Sequence, residues 1–128
     1  MSPLYIAAQR GFELIVELLL EFDAWINWRE PSSSAFPLYV AANRGREKAV
    51  QVLVSNPEID LDMTMDADGA TALIIAAANG HADVCAALVQ AGADVTCRLT
   101  TDGTTALECA VEAGHTQLAE WFHIQTMN

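Results

Sequence analysis

Residues 71–80 read T-A-L-I-I-A-A-A-N-G, and closely similar stretches begin at Ser2, Phe36 and Thr105. In that order they read S-P-L-Y-I-A-A-Q-R-G, F-P-L-Y-V-A-A-N-R-G and T-A-L-E-C-A-V-E-A-G. The leucine recurs at positions 4, 38, 73 and 107, and the final glycine at positions 11, 45, 80 and 114. Two columns that keep one register four times predict an internal repeat, so that the whole fold is built from one unit.

Each stretch carries the signals of a short helix. Ser2, Thr71 and Thr105 can cap a helix N-terminus with a hydroxyl group. Pro3 and Pro37 suit the first helical position, where the missing N–H has no intrahelical partner to lose. Paired alanines follow in mid-helix in the first three units, which allows neighbouring units to approach closely. The glycine then predicts a helix end in the left-handed conformation.

A second helix follows in each unit, and it is marked by two adjacent apolar residues, a mostly polar gap and two more. This spacing is typical of a helix with one buried face. The apolar positions are Ile15, Val16, Leu18 and Leu19; Ala49, Val50, Val52 and Leu53; Val84, Cys85, Ala87 and Leu88; and Leu118, Ala119, Trp121 and Phe122.

The segments between units predict hairpin-like connections. Residues 92–95 give a turn and a short extended stretch, and Asp68-Gly69 and Asp102-Gly103 are good turn dipeptides. Between units 1 and 2 the loop from Arg29 to Ala35 contains P-S-S-S instead. We therefore expect a longer, exposed loop there in place of a tight tip.

The bulk properties exclude several classes of protein. No apolar run approaches the roughly 20 residues that a membrane-spanning helix needs, and no signal peptide is visible. The net charge of −11 disfavours nucleic acid or an anionic membrane as partner and favours a basic one. Cys85, Cys97 and Cys109 form no C-x-x-C pair, which indicates free thiols in a reducing compartment.

The four units resemble the ankyrin repeat family, and unit 3 is the most similar, with D-G-A-T-A-L-I-I-A-A-A-N-G-H-A-D-V from Asp68 onward. The resemblance implies an all-α fold, an ankyrin-repeat solenoid of helix-turn-helix units joined by β-hairpin-like loops. The chain is then one domain, 1–128, with repeats of approximately 1–34, 35–66, 67–99 and 100–128. The histidine of the family's T-P-L-H motif is missing, since its column holds Tyr5, Tyr39, Ile74 and Glu108.

The candidate chemical sites are weak. His81 and His115 share one column, and we interpret them as helix-start residues that bond local backbone. His81 and Cys85 lie four residues apart and could form half a zinc site, but no second pair at ligand spacing exists. Asp66-Ala67-Asp68-Gly69 lacks the glutamate that a calcium loop needs, and no phosphate-binding or nucleophile-elbow motif occurs. We expect no catalytic residue, cofactor or metal.

The tryptophans and the ends of the chain leave questions open. Trp25 and Trp28 either pack locally against Phe36 and Pro37 or contact a partner, because tryptophan is enriched at binding hot spots. Trp121 is expected in the core. The chain begins inside the first helix of a unit, which leaves Ile6, Phe12 and Leu18 with no preceding repeat. From this we expect a truncated array or a fragment of a larger protein.

The resemblance also implies a function and a site. We expect a non-catalytic protein–protein interaction module or adaptor, intracellular and cytoplasmic, that binds another protein on a concave face, with no nucleic acid, membrane insertion or small-molecule substrate. Alternatives are the substrate-recognition segment of a larger enzyme, such as a kinase or ubiquitin ligase, and a scaffold linking membrane proteins to the cytoskeleton. The concave face is predicted to include Gln9, Arg10, Ser33, Ala35, Asn43, Arg44, Ala67, Asp68, Ala70, Ala78, Asn79, Thr101, Asp102, Thr104, Glu112 and Ala113. Arg10 and Arg44 share one column and should form a small basic stripe beside acidic tips.

Overall fold

The computed structural model describes residues 2–127 and consists of repeated helix pairs. In this range the helices are α1 Pro3–Arg10, α2 Glu13–Glu21, α3 Pro37–Asn43, α4 Glu47–Ser55, α5 Ala72–Ala78, α6 Ala82–Ala91, α7 Ala106–Glu112 and α8 Thr116–Thr126. No strand forms between residues 2 and 127, apart from one isolated antiparallel bridge between Arg98 and Thr105. The all-α repeat architecture predicted from the sequence is confirmed.

The helices lie in two rows. The short helices α1, α3, α5 and α7 pack side by side, and the longer helices α2, α4 and α6 form a second row beside them. Each short helix also packs on the longer helix of its own unit. A unit alone leaves its apolar faces open, so the core is shared along the array and stability depends on neighbouring units.

Local signals set the bounds of the short helices as predicted. The Ser2 hydroxyl accepts a hydrogen bond from the Tyr5 backbone N–H at 3.1 Å, and Thr71 does the same for Ile74 at 3.2 Å. Thr105 forms a reciprocal capping box with Glu108. The column glycines that follow these helices have φ between 70° and 83°, which is the left-handed conformation expected.

Side-chain burial follows the two-plus-two pattern of the second helices. Val50, Leu53, Leu88 and Phe122 are fully buried. The exception is α2, where only Val16 is buried, because no unit packs on its outer side in the described chain. Trp121, expected in the core, is half-buried and stands edge-on to Phe122, with ring centroids 5.0 Å apart.

The expectation of a longer loop between units 1 and 2 is wrong. The Glu30 N–H donates to the Ala35 carbonyl at 2.7 Å and the Ser34 N–H donates to the Glu30 carbonyl at 2.8 Å. The same two bonds recur at residues 65–70 and 99–104, so the three tips have the same hairpin geometry and the same length. Ser34 takes the glycine's place with φ of 62°, and its hydroxyl accepts a bond from the Asp66 N–H at 2.9 Å. That bond to the next unit supports a conformation that serine seldom adopts.

Candidate functional site

One side chain at each junction ties a unit to the unit before it. Arg46 Nε donates to the Gln9 carbonyl at 3.1 Å, His81 Nε2 to the Asn43 carbonyl at 3.1 Å, and His115 Nε2 to the Ala78 carbonyl at 3.2 Å. We expected the two histidines to bond local backbone, and this was wrong: their partners are 38 and 37 residues away. The bonds hold the last turns of α1, α3 and α5, where several predicted binding residues lie.

The column glycines allow this close approach. A Cβ atom on Gly45 would lie 2.8 Å from the His81 ring, and one on Gly80 would lie 2.7 Å from the His115 ring. Both glycines also have left-handed φ values, 70° and 74°. The glycine therefore serves two purposes: it ends the short helix, and it leaves room for the side chain that crosses the junction.

The predicted helix-end residues are accessible. Arg10, Arg44, Asn79, Glu112 and Ala113 are exposed, whereas Gln9, Asn43 and Ala78 are half-buried. Arg10 and Arg44 end neighbouring helices, and within residues 2–127 neither has a carboxylate at ion-pair distance. Asn79 Nδ2 donates to Asn43 Oδ1 at 2.7 Å, which fixes two predicted binding residues relative to each other across a junction.

The hairpin tips are only partly accessible. Ser33, Ala67, Thr101 and Asp102 are exposed and Asp68 is half-buried. Three predicted site residues are instead buried, and this corrects their assignment to a binding face: Ala35 at 5%, Ala70 at 2% and Thr104 at 6% exposure. Each of these residues accepts the closing hydrogen bond of its hairpin through its backbone carbonyl, and its side chain is too buried to meet a partner.

The tip aspartates are partly engaged in their own turns. Asp68 Oδ1 accepts the Ala70 N–H at 2.9 Å, and Asp102 Oδ1 accepts the Thr104 N–H at 3.0 Å. The Thr104 hydroxyl also donates to Asp102, and this hydrogen bond is the largest cause that lowers the pKa of that carboxyl. Both aspartates keep a second oxygen for an outside donor.

Two tyrosines in one column, Tyr5 and Tyr39, were not among the residues predicted for the site. Burial raises the pKa of Tyr5 most, with Glu30 raising it further and Arg44 lowering it. Burial likewise raises the pKa of Tyr39, and Asp68 adds to the effect. A tip carboxylate and a helix-end guanidinium thus both influence the pKa of the Tyr5 phenol, and a tip carboxylate influences that of the Tyr39 phenol. Their shared column in place of the family's histidine was the signal that could have found them.

The two tryptophans behave differently. Trp28 is half-buried and stands edge-on to Tyr5, with ring centroids 5.7 Å apart. The expected local packing thus occurs, but against Tyr5, while Phe36 has Tyr39 and the Arg29 guanidinium as neighbours. Trp25 is 69% exposed and stays available to a partner.

The half zinc site considered at His81 and Cys85 does not fit the geometry. Cys85 is fully buried, and burial raises the pKa of its thiol to about 12, whereas zinc binds the thiolate. The His81 Nε2 atom is engaged with Asn43. Among residues 2–127, no group of three His, Cys, Asp or Glu side chains is placed to hold a metal ion, and all three cysteines are free.

A family model described as ankyrin repeats (3 copies) matches residues 1–65 and again residues 57–125. The two matches together cover nearly the whole chain. The chain belongs to the ankyrin repeat family. Ankyrin repeats are generally protein–protein interaction modules and are typically non-catalytic, which fits a surface built from helix ends and hairpin tips. No ankyrin helix within residues 2–127 is long and apolar enough to cross a bilayer.

Proposed function

We propose that this chain is a non-catalytic adaptor that binds a partner protein on the surface formed by hairpin tips and short-helix ends. We call it the tip–helix surface and define it by Gln9, Arg10, Ser33, Asn43, Arg44, Ala67, Asp68, Ala78, Asn79, Thr101, Asp102, Glu112 and Ala113. The family resemblance implies that this surface is the concave face used for recognition. The three free cysteines favour a reducing compartment such as the cytoplasm.

The observation that carries the proposal is the arrangement of charges along the tip–helix surface. Arg10 and Arg44 lie at the C-terminal ends of α1 and α3 and have no ion-pair partner within residues 2–127. Asp68 and Asp102 lie at the hairpin tips of later units. Opposite charges along one surface select the orientation of a bound segment and reject partners with the reverse pattern. We expect a partner segment, extended or helical, that presents an acid to the arginines and a base to the aspartates.

The inter-unit bonds support a preformed site. His81 fixes the carbonyl of Asn43, and Asn79 bonds the Asn43 side chain, so the ends of α3 and α5 are held together before any partner arrives. A surface that is already ordered loses less conformational entropy on binding. This favours recognition with little rearrangement of the array.

The test begins with partners recovered from cell lysate and identified by mass spectrometry, followed by titration calorimetry on the purified pair. Replacing Arg44 and Asn79 together by alanine is expected to weaken binding by roughly 2 kcal/mol, as for a hot-spot pair. The matched control is Lys48→Ala with Gln51→Ala, which removes one cation and one amide from the exposed side of α4. Equal affinity of the Arg44/Asn79 variant and the wild type would remove both residues from the site.

A further inference from the structure

The outer side of unit 4 carries an apolar groove between α7 and α8. The groove has a volume of about 760 Å³, and its floor includes Leu107, Val111, Ala119 and Ile124. Val111 is 60% exposed and Ile124 is 57% exposed. Apolar side chains gathered in a groove at this level of exposure are typical of an interaction site.

The groove differs from the faces on which units of this chain stack. The column of Val111 holds Ala8, Ala42 and Ala77 in the other units, and all three are fully buried. Those alanines let the next unit approach closely, whereas a valine keeps a neighbour farther away. The floor of the groove is therefore shaped for a different occupant than another unit of the internal kind.

Carboxylates line the edges of the groove. Glu108 stands in the column of Tyr5, Tyr39 and Ile74, and it pairs with Arg98 at 3.6 Å. Glu112 and Glu120 are exposed and have no ion-pair partner within residues 2–127. An occupant without positive charge would cover these carboxylates and leave them unpaired, which is costly.

We propose that this groove binds a basic amphipathic helix of a partner protein. A furrow between two helices accepts one further helix, whose apolar residues at spacings of three and four enter the floor. Lysine or arginine side chains beside that stripe then reach Glu112 and Glu120. The surface is separate from the tip–helix surface except at Glu112, which borders both.

A second copy of the chain fits the groove less well on charge. The apolar residues at the opposite end of the array include Phe12, Ile15 and Leu18, and Glu13, Glu17 and Glu21 lie among them. Stacking that end on the groove would set acid against acid between two chains of net charge −11. An anionic membrane would be repelled for the same reason.

The test uses two synthetic peptides of about 14 residues, which is close to four helical turns. Both carry leucines at helical spacing on one face; the flanking positions are lysine in one peptide and glutamate in the other. Binding to the full chain is measured by fluorescence anisotropy at low ionic strength, because salt screens exposed charges. We expect the lysine peptide to bind at least about tenfold more tightly than the glutamate peptide.

Two variants locate the binding. Val111→Gln, which keeps a side chain of similar volume but replaces its apolar end with an amide, is expected to weaken binding of the lysine peptide about tenfold. Glu120→Gln is expected to weaken binding of the lysine peptide about threefold. Glu17→Gln is the matched control, since Glu17 occupies the column of Glu120 in unit 1 and is also exposed. It should change affinity by less than about twofold, and circular dichroism confirms that each variant is folded.

The competing outcomes are distinct. Equal affinity for the two peptides, or an unchanged affinity of Val111→Gln, would overturn the proposal. An equal loss from Glu17→Gln and Glu120→Gln would show general attraction to an acidic protein and would also overturn it. Sedimentation that reveals a dimer weakened by Val111→Gln would assign the groove to a second copy instead.

Discussion

The Nε2 atom of His81 lies 3.1 Å from the carbonyl oxygen of Asn43 in the preceding unit. A carbonyl oxygen only accepts hydrogen bonds, so Nε2 carries the proton and donates. His115 and Arg46 make the equivalent bond at the two other junctions. An imidazole and a guanidinium thus do the same structural task in one column, although their chemistry otherwise differs.

Replacing His81 with alanine is expected to lower the free energy of unfolding by about 1 kcal/mol, the usual contribution of one net hydrogen bond. Urea titration followed by circular dichroism measures this. His123→Ala is the control, because His123 is an exposed histidine on α8. Equal stability of the His81 variant and the wild type would mean that the junction bond contributes nothing.

The column glycines offer a matched pair. Gly80 and Gly114 have similar φ values of 74° and 83°, but a Cβ atom on Gly80 meets the His115 ring, whereas one on Gly114 meets nothing within 4 Å. We expect Gly114→Ala to lower the free energy of unfolding by about 1 kcal/mol through backbone strain alone. Gly80→Ala should lower it by at least about 1 kcal/mol more, because the ring must move.

The second half of that experiment combines Gly80→Ala with His115→Ala. Removing the ring should relieve the steric part of the Gly80→Ala cost, so the two changes should be less than additive in urea titrations. Additive effects, or identical losses for Gly80→Ala and Gly114→Ala, would contradict a steric role for the junction side chain.

Ser34 combines an unfavourable backbone with a favourable bond. Its φ of 62° is a glycine-like value, and its hydroxyl accepts the Asp66 N–H at 2.9 Å. Ser34→Ala keeps the strain and loses the bond, so it should lower the free energy of unfolding by about 1 kcal/mol. Ser34→Gly loses the same bond but relieves the strain and should stay within about 0.5 kcal/mol of the wild type. If thermal or urea unfolding showed the alanine variant to be more stable than the glycine variant, the prediction would be contradicted.

Glu30 is expected to titrate at an unusually low pH. Hydrogen bonds lower the pKa of Glu30 from the ordinary 4.5 to about 2. The bond from the Ser32 hydroxyl is the largest cause, followed by those from the Ser32 backbone N–H and from the hydroxyl and backbone N–H of Ser33. Because the pKa of Glu30 is lower in the folded than in the unfolded state, its ionised carboxylate stabilises the folded protein above about pH 4.5. This contribution to the free energy of unfolding is lost as pH falls through about 2. Carboxyl chemical shifts in NMR titrations give the pKa directly.

The control for that titration is a pair of serine variants. Ser32→Ala with Ser33→Ala removes the two hydroxyl donors and should raise the pKa of Glu30 toward 4.5. Ser55→Ala, at the end of α4, should leave it unchanged. A Glu30 pKa near 4.5 in the wild type would show that Ser32 and Ser33 do not donate hydrogen bonds to the carboxylate in solution.

The features that sequence predicted correctly are those with short-range causes. Thr71 caps α5 through a bond to Ile74, three residues away, and Gly11 ends α1 by its own backbone freedom. The exposure of Arg10 and Arg44 followed from their register at the end of an amphipathic helix. These relations are set within one or two helical turns, so the order of residues along the chain is enough to reveal them.

The features that sequence missed depend on how residues far apart in the chain come together. Ser34 adopts a glycine-like conformation and accepts a hydrogen bond from the Asp66 N–H of the next unit, and Ala35, Ala70 and Thr104 are buried although they lie at hairpin tips. Tyr5 meets Glu30 and Arg44 only after units have stacked. By itself, the sequence determined the repeat, the helix bounds and the alternation of buried and exposed positions, since these are properties of one unit. Only the tertiary structure decided which side chains cross a junction and which charges share a surface, because a unit's outward faces acquire neighbours only when the array assembles.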